Sequence, residues 1–236
     1  MSPRPHSSLL FVCASLALAA LPASAADVAW TGTLSAGYET RHIYRGVDSG
    51  LDDAIVWQAG ALSAGGLTLG YWYGTGPSTA YEEFDLFGSY VHPLGDWELV
   101  PGFLWYHFPD NIAEDSTDLT LTLRRPIPLK GEAILAPFAY LSYNLDVEGL
   151  YGALGLDYRH PLAGGWLLDA QVLIAASTGL RPADGYDHLE GTVALSRELR
   201  PGARLRLFVS HSFAGEAIDP ISPDETWGGA TLSVTF

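Results

Sequence analysis

Cysteine occurs once in this chain of 236 residues, at Cys13, and lysine once, at Lys130. Cys13 falls in an apolar stretch at residues 9–21, after Arg4 and before Ala23-Ser24-Ala25. A positive start, an apolar core and an A-x-A site make a secretory leader. Residues 1–25 are therefore expected to be a signal peptide, removed after Ala25 during Sec export, with 26–236 as the mature protein. Val12 stands where a lipoprotein signal wants a small residue, so Cys13 is not read as a lipid anchor. The mature chain then has no cysteine and no disulfide framework. Long apolar runs are missing too: past the leader nothing approaches the ~20 residues of a spanning helix. Basic residues are scarce. The whole chain has 12 against 27 acids, and losing Arg4 leaves 11 against the same 27, a net charge of −16. That excludes nucleic acid as a partner and argues against anchoring to anionic surfaces by a basic patch.

What is present is alternation. In the last ten residues Gly228, Ala230, Leu232, Val234 and Phe236 share one face, and Trp227, Gly229, Thr231, Ser233 and Thr235 the other. A two-residue period with one apolar face is a β-strand. A terminal strand with an open edge is an aggregation template, and closing a barrel against the first strand removes that edge. The same period recurs at residues 30–44, 54–62, 67–74, 83–90, 97–106, 118–124, 134–144, 150–158, 166–176, 188–199 and 203–212. With the last strand these predict twelve, the seventh weakened by Pro137. Leu119, Leu121, Leu123, Leu205, Leu207 and Leu232 are expected to face outward, and Glu39, Asp85, Asp169 and Arg206 inward.

Connections sort by length. Those at 63–66, 92–96, 160–165 and 200–202 are tight and 125–131 slightly longer, whereas 46–53, 75–82, 108–117, 178–187 and 213–225 are long. Only 145–149 breaks the rule. Most acids lie in or beside the long loops. Arg124, Arg125, Lys130, Arg159, Arg197, Arg200 and Arg204 gather at the opposite end, and aromatic residues cluster at strand ends. Short turns at one end, long loops at the other and two aromatic girdles describe a transmembrane, antiparallel up-and-down β-barrel. The fold class is thus all-β, in a bacterial outer membrane, with its lipids and barrel assembly machinery as partners. Phe236 is expected to act as the assembly signal.

Several stretches of the first half carry a resemblance: Gly37-Tyr38 through Tyr44-Arg45-Gly46, Gly70-Tyr-Trp-Tyr73, Tyr81 to Tyr90, and Trp105-Tyr-His-Phe-Pro109. Together they resemble the TorF-type porin family. Its Tyr-x-x-Arg-Gly element falls on His42, Ile43, Tyr44, Arg45 and Gly46, without the leading Tyr in register. Its acid-x-acid matches Glu83 and Asp85. The resemblance covers about the first third of the mature chain plus the ending. It implies porin-like transport and names no solute.

Candidate sites follow from facing and clustering. Ser210-His211-Ser212-Phe213 is the nearest approach to a barrel-lipase site, but His211 faces outward with Phe213 while both serines face inward, so no catalytic residue is assigned. Asp110, Glu114, Asp115 and Asp118 crowd one loop. Hard cations take such clusters, yet no calcium-loop spacing is present, so the set is read as an acidic mouth with no metal. Glu39, Arg41, Asp85, Asp169, Gln171, Arg204 and Arg206 are expected to line the pore. Opposed acids and bases there either select solutes across a bore or pair and plug it. The reading is a narrow, weakly cation-preferring diffusion channel for small solutes, with no cofactor and no enzymatic activity. A closed-lumen structural or adhesive barrel remains open, and a lipid-modifying enzyme is a distant third.

Overall fold

The computed structural model describes residues 29–78, 80–109 and 113–236. The leader and Asp110 lie outside them. Twelve antiparallel strands form the wall. In chain order they are β1 (Thr31–Glu39), β2 (Ile55–Ala64), β3 (Leu67–Thr75), β4 (Glu82–Tyr90), β5 (Trp97–His107), β6 (Ser116–Arg124), β7 (Ile134–Asn144), β8 (Gly149–Pro161), β9 (Trp166–Thr178), β10 (Gly185–Arg200), β11 (Ala203–Ala214) and β12 (Glu225–Thr235). Each pairs with its sequence neighbours. β12 returns to β1 with Val234 opposite Leu34 and Ala230 opposite Tyr38. Two backbone bonds seal the seam, Gly32 N–H to the Phe236 carbonyl at 2.8 Å and Phe236 N–H to the Gly32 carbonyl at 2.9 Å. Among the described residues, no edge of the twelve-stranded wall is left for another chain to pair with.

Alternation decides which side each residue takes. Leu119, Leu121, Leu207 and Leu232 stand exposed on the outside, as do Leu154, Val172, Ile174 and Val193. Their neighbours Asp118, Ala194, Ser196 and Ser210 are buried within. An apolar band this continuous on the outside of a protein is wettable only by lipid. Exposed Tyr90 and Trp97 mark the short-turn rim, and Tyr38, Tyr143 and Phe213 the other. Placing Arg at Leu121 should therefore cost ~2–4 kcal/mol at mid-membrane depth, and Thr120→Arg clearly less. Urea titration of lipid-embedded protein measures both; equal costs would mean the facing is inverted.

The tight turns follow their chemistry. Gly65 and Gly66 both take positive φ (57° and 88°), the two-residue hairpin that suits strand twist. Pro137 sits inside β7, at the point where pairing with β6 begins, so its missing N–H interrupts little.

The first strand departs from expectation. Its expected range runs to Tyr44, but register pairing with β2 and β12 stops at Glu39. Residues 40–54 leave the wall and fold back as a small hairpin, Ile43–Tyr44 against Val47–Asp48. Arg41 is accordingly not on the wall. A bulge re-aims a second region. Ala175 opposes His188 and Ala176 opposes Tyr186, which leaves Asp187 as the extra residue. Both Asp187 and His188 end fully buried.

Candidate functional site: a hairpin across the lumen

The hairpin turns at Arg45 and Gly46, and its tip is pinned to the far wall. Arg45 donates to Asp118 at 2.7 Å, to the Ser142 hydroxyl at 2.9 Å and to the Tyr140 hydroxyl at 3.1 Å. Its guanidinium stacks over Tyr44 and Tyr151, 4.8 and 4.9 Å from the ring centroids. Asp118, 1% exposed, also accepts from Tyr106, Ser142 and Asn144, at 3.2, 2.8 and 2.8 Å. The Tyr44 and Tyr106 hydroxyls meet at 2.6 Å. A buried carboxylate is tolerated when its oxygens are met by donors, and both oxygens of Asp118 are. Arg45 itself takes positive φ (51°), as do Leu51 and Asp52 in the same loop, so local strain is held in place by these contacts. Gly46 is required: a Cβ there would come within 2.6 Å of His188 Nδ1 and 2.8 Å of Ile218.

The base of the hairpin is tied as firmly. Arg41 reaches Asp48 at 2.8 Å, Asp52 at 2.5 Å and Glu225 at 3.4 Å. The hydrogen bonds it donates to Asp52 and then Asp48 raise its pKa above the ordinary arginine value. The three carboxylates that could gather round a metal ion are these same three, already gathered round Arg41. The last long loop closes over the hairpin: Ser222 accepts from Asp48 N–H at 3.1 Å, and Ala217 and Ile218 are fully buried. Arg181 adds a bond to the Arg45 carbonyl at 3.2 Å. Farther out, the Asp53 carboxyl is held below its usual range by the Ser78 hydroxyl and the Ala54 N–H. Asp115 is lowered in the same way by the His107 ring and the Phe108 N–H.

Beneath the hairpin lie two adjoining cavities that share Arg124, Asp157 and Gln171. The upper, about 410 Å³, is lined by Tyr44, Arg45, Phe138, Tyr140, His188 and Glu190 among others. The lower, about 750 Å³, reaches the short-turn end past Arg159, Asp169, Arg204 and Arg206. Arg124 pairs with Glu98 at 2.5 Å and Arg159 with Asp169 at 2.8 Å. No carboxylate among the described residues lies within 4.0 Å of Arg204 or Arg206; Arg204 donates to Ser196 at 3.2 Å. The opposite half of the lumen is packed around the Trp57 and Trp72 rings, 6.4 Å apart, with Glu39 accepting from the Trp57 indole at 3.0 Å.

The expected site residues are distributed as follows. Glu39, Asp85, Asp169, Gln171, Arg204 and Arg206 are on inward positions. Arg41 stands instead at the hairpin base, because the chain leaves the wall before it. Asp118 is not a mouth acid: it is on β6, inside the barrel, as the partner of Arg45. Glu114 and Asp115 are exposed in the long loop, and Asp110 is outside the described residues. The Phe236 ring packs on Gly32, where a Cβ would come within 2.5 Å of it. His211 faces outward, bonded to Thr226 at 2.6 Å and edge-on to Phe213. Arg45 and its cradle were not among the expected site residues, although Tyr44-Arg45-Gly46 carries part of the resemblance to TorF-type porins.

Comparison with solved structures places this barrel among known ones. It is similar to the KdgM porin, with TM-score 0.61, 13% identity, and coverage of 86% of this chain and 99% of that one. It is similar to the NanC porin (0.59, 12%, 86% and 98%) and to an outer membrane channel from Pseudomonas putida F1 (0.59, 12%, 91% and 99%). The fold is that of solved outer-membrane channels. At such identities the likeness is one of fold, and the full coverage of those chains means the whole barrel is shared. No protein-family model matches the chain, and no curated protein matches it.

Proposed function

We propose that this protein is a bacterial outer-membrane channel for passive diffusion of small hydrophilic solutes, with the first-loop hairpin as its constriction. The observation that carries the reading is the pair of adjoining cavities, lined in part by charged side chains, that end against a hairpin pinned across the lumen. The resemblance to TorF-type porins, the secretory leader and the shared barrel fold point the same way. Such a location makes lipid and the barrel assembly machinery its partners.

Charge preference is weak on this reading, because the path changes sign. The outer mouth keeps exposed acids such as Glu114, Glu148, Glu216 and Asp219. At the hairpin Arg45 is matched by Asp118 and Arg41 sits among three carboxylates, whereas the short-turn vestibule presents Arg204 and Arg206. The mouth concentrates cations and the vestibule resists them, leaving a small cation preference that is strongest in dilute salt, where screening reaches beyond ~8 Å. A second reading, preference for anions, is favoured by those two arginines, and KdgM has been solved in complex with disordered oligogalacturonate. Planar-bilayer recording in a salt gradient separates them. Cation preference should appear as a small reversal potential that moves toward zero when Glu114, Glu148 and Glu216 become Gln and Asp219 becomes Asn. The opposite sign establishes the anion reading, and no conductance at all returns the protein to a closed-lumen structural role.

A further inference from the structure

We propose that the upper cavity is a binding site for an uncharged sugar ring, held on the path directly beneath the hairpin; this rests on the channel reading. Its volume of about 410 Å³ lies within the ~300–1,000 Å³ of small-molecule sites. Two kinds of surface meet in it. One is aromatic: Phe138 lies against Gly155, where a Cβ would come within 2.4 Å of its Cζ, and its ring lines the cavity with Tyr140 and Leu173. The other is a rim of hydrogen-bonding groups: Thr122, the Tyr140 hydroxyl, Glu190, and the Asp157–Gln171 pair bonded at 2.7 Å. Glu190 has no hydrogen-bond partner among the described residues, and its nearest ionic neighbour, His188 Nε2, is 3.8 Å away. Neither His188 nitrogen has a partner, although the residue is fully buried. Buried polar groups are rarely left so. A flat C–H face bordered by hydroxyls is the complement of one aromatic wall and several acceptors.

Charge narrows the class. The arginines lining this cavity are Arg45 and Arg124, and each is matched by a carboxylate, Asp118 and Glu98. An anionic solute therefore finds no cation here that lacks a carboxylate of its own. For a cationic solute, Glu190 and Asp157 on the same lining are balanced in number by Arg45 and Arg124, which leaves no net charge to favour it. An uncharged polyol needs no net charge to bind.

The test uses purified full-length protein in planar bilayers, with maltose, galacturonate or choline chloride added to either side. Maltose should reduce conductance saturably. The half-blocking concentration should rise about tenfold in Phe138→Ala and in Glu190→Gln, and stay unchanged in Leu207→Ala on the lipid face. Heat-modifiable migration on gels checks that each variant is folded. Calorimetric titration of the detergent-solubilised protein with maltose reads binding without conduction. Binding by a protein that conducts nothing would uphold this site and remove the channel reading. Block by galacturonate or choline at equal or lower concentration would overturn the uncharged class. Absence of a saturable maltose effect in both recording and titration would overturn the site.

Discussion

Arg45→Ala is expected to raise single-channel conductance, roughly doubling it, and to broaden the conductance histogram. The residue holds the hairpin tip to β6 and β7 through three hydrogen bonds. Removing it leaves Asp118 buried without its cation, which costs about 3–5 kcal/mol. Asp118 lies on β6 of the wall, and its cost is relieved when the tip lifts and water reaches the carboxylate. The wall keeps its full ladder of backbone bonds, while the hairpin tip has little besides Arg45, the Tyr44–Tyr106 contact, the Ser222 bond and the Arg181 bond to the Arg45 carbonyl. The tip should therefore lift. Arg45→Ala combined with Asp118→Asn should cost less stability than Arg45→Ala alone, since no buried charge is orphaned, yet should conduct as widely. Bilayer recording with urea titration in micelles checks both halves. Unchanged conductance in folded Arg45→Ala would remove the hairpin as the constriction.

The second large effect is on assembly. Deleting residues 234–236 should abolish most of the folded, heat-modifiable protein recovered from the outer membrane. Val234 pairs with both Ala203 and Leu34, Thr235 N–H bonds to the Gly202 carbonyl at 2.7 Å, and Phe236 exchanges two bonds with Gly32. Without them the seam between β12 and β1 opens at the short-turn rim, and each backbone group left unsatisfied in lipid costs several kcal/mol. Phe236→Ala keeps the backbone bonds and loses only the ring on Gly32, so it should show a clearly smaller defect. Quantitative gels of unheated and heated membrane fractions give the answer. Undiminished folded protein after the deletion would refute the role assigned to this strand.

The wall was legible in the residues because its signal is local. Leu119, Leu121 and Leu123 alternate with Thr120 and Thr122 whatever the rest of the chain does, and lipid outside with polar groups inside translates that period directly into facing. The strand number, the closure of the last strand on the first and the outward His211 all follow from period and parity. Even Pro137 was placed in the right strand, since one missing donor does not end a ladder of eleven residues.

The interior was not legible, for the converse reason. Past Glu39 the alternation weakens, with Thr40 and His42 on the apolar face and Ile43 on the polar one, but Tyr44 falls back into phase and hides the point where the chain leaves the wall. Arg41 was therefore read as wall and Asp118 as mouth. What moves them is contact between residues far apart in the chain: Arg45 with Asp118 and Ser142, Asp48 with Ser222, Arg41 with Glu225. Those partners come together only once the barrel has closed and brought its walls face to face. The sequence by itself determined the barrel, because facing is set by each residue and its nearest neighbours. The hairpin across the lumen was decided by the tertiary structure alone, because a buried charge chooses its partner across the lumen and not along the chain.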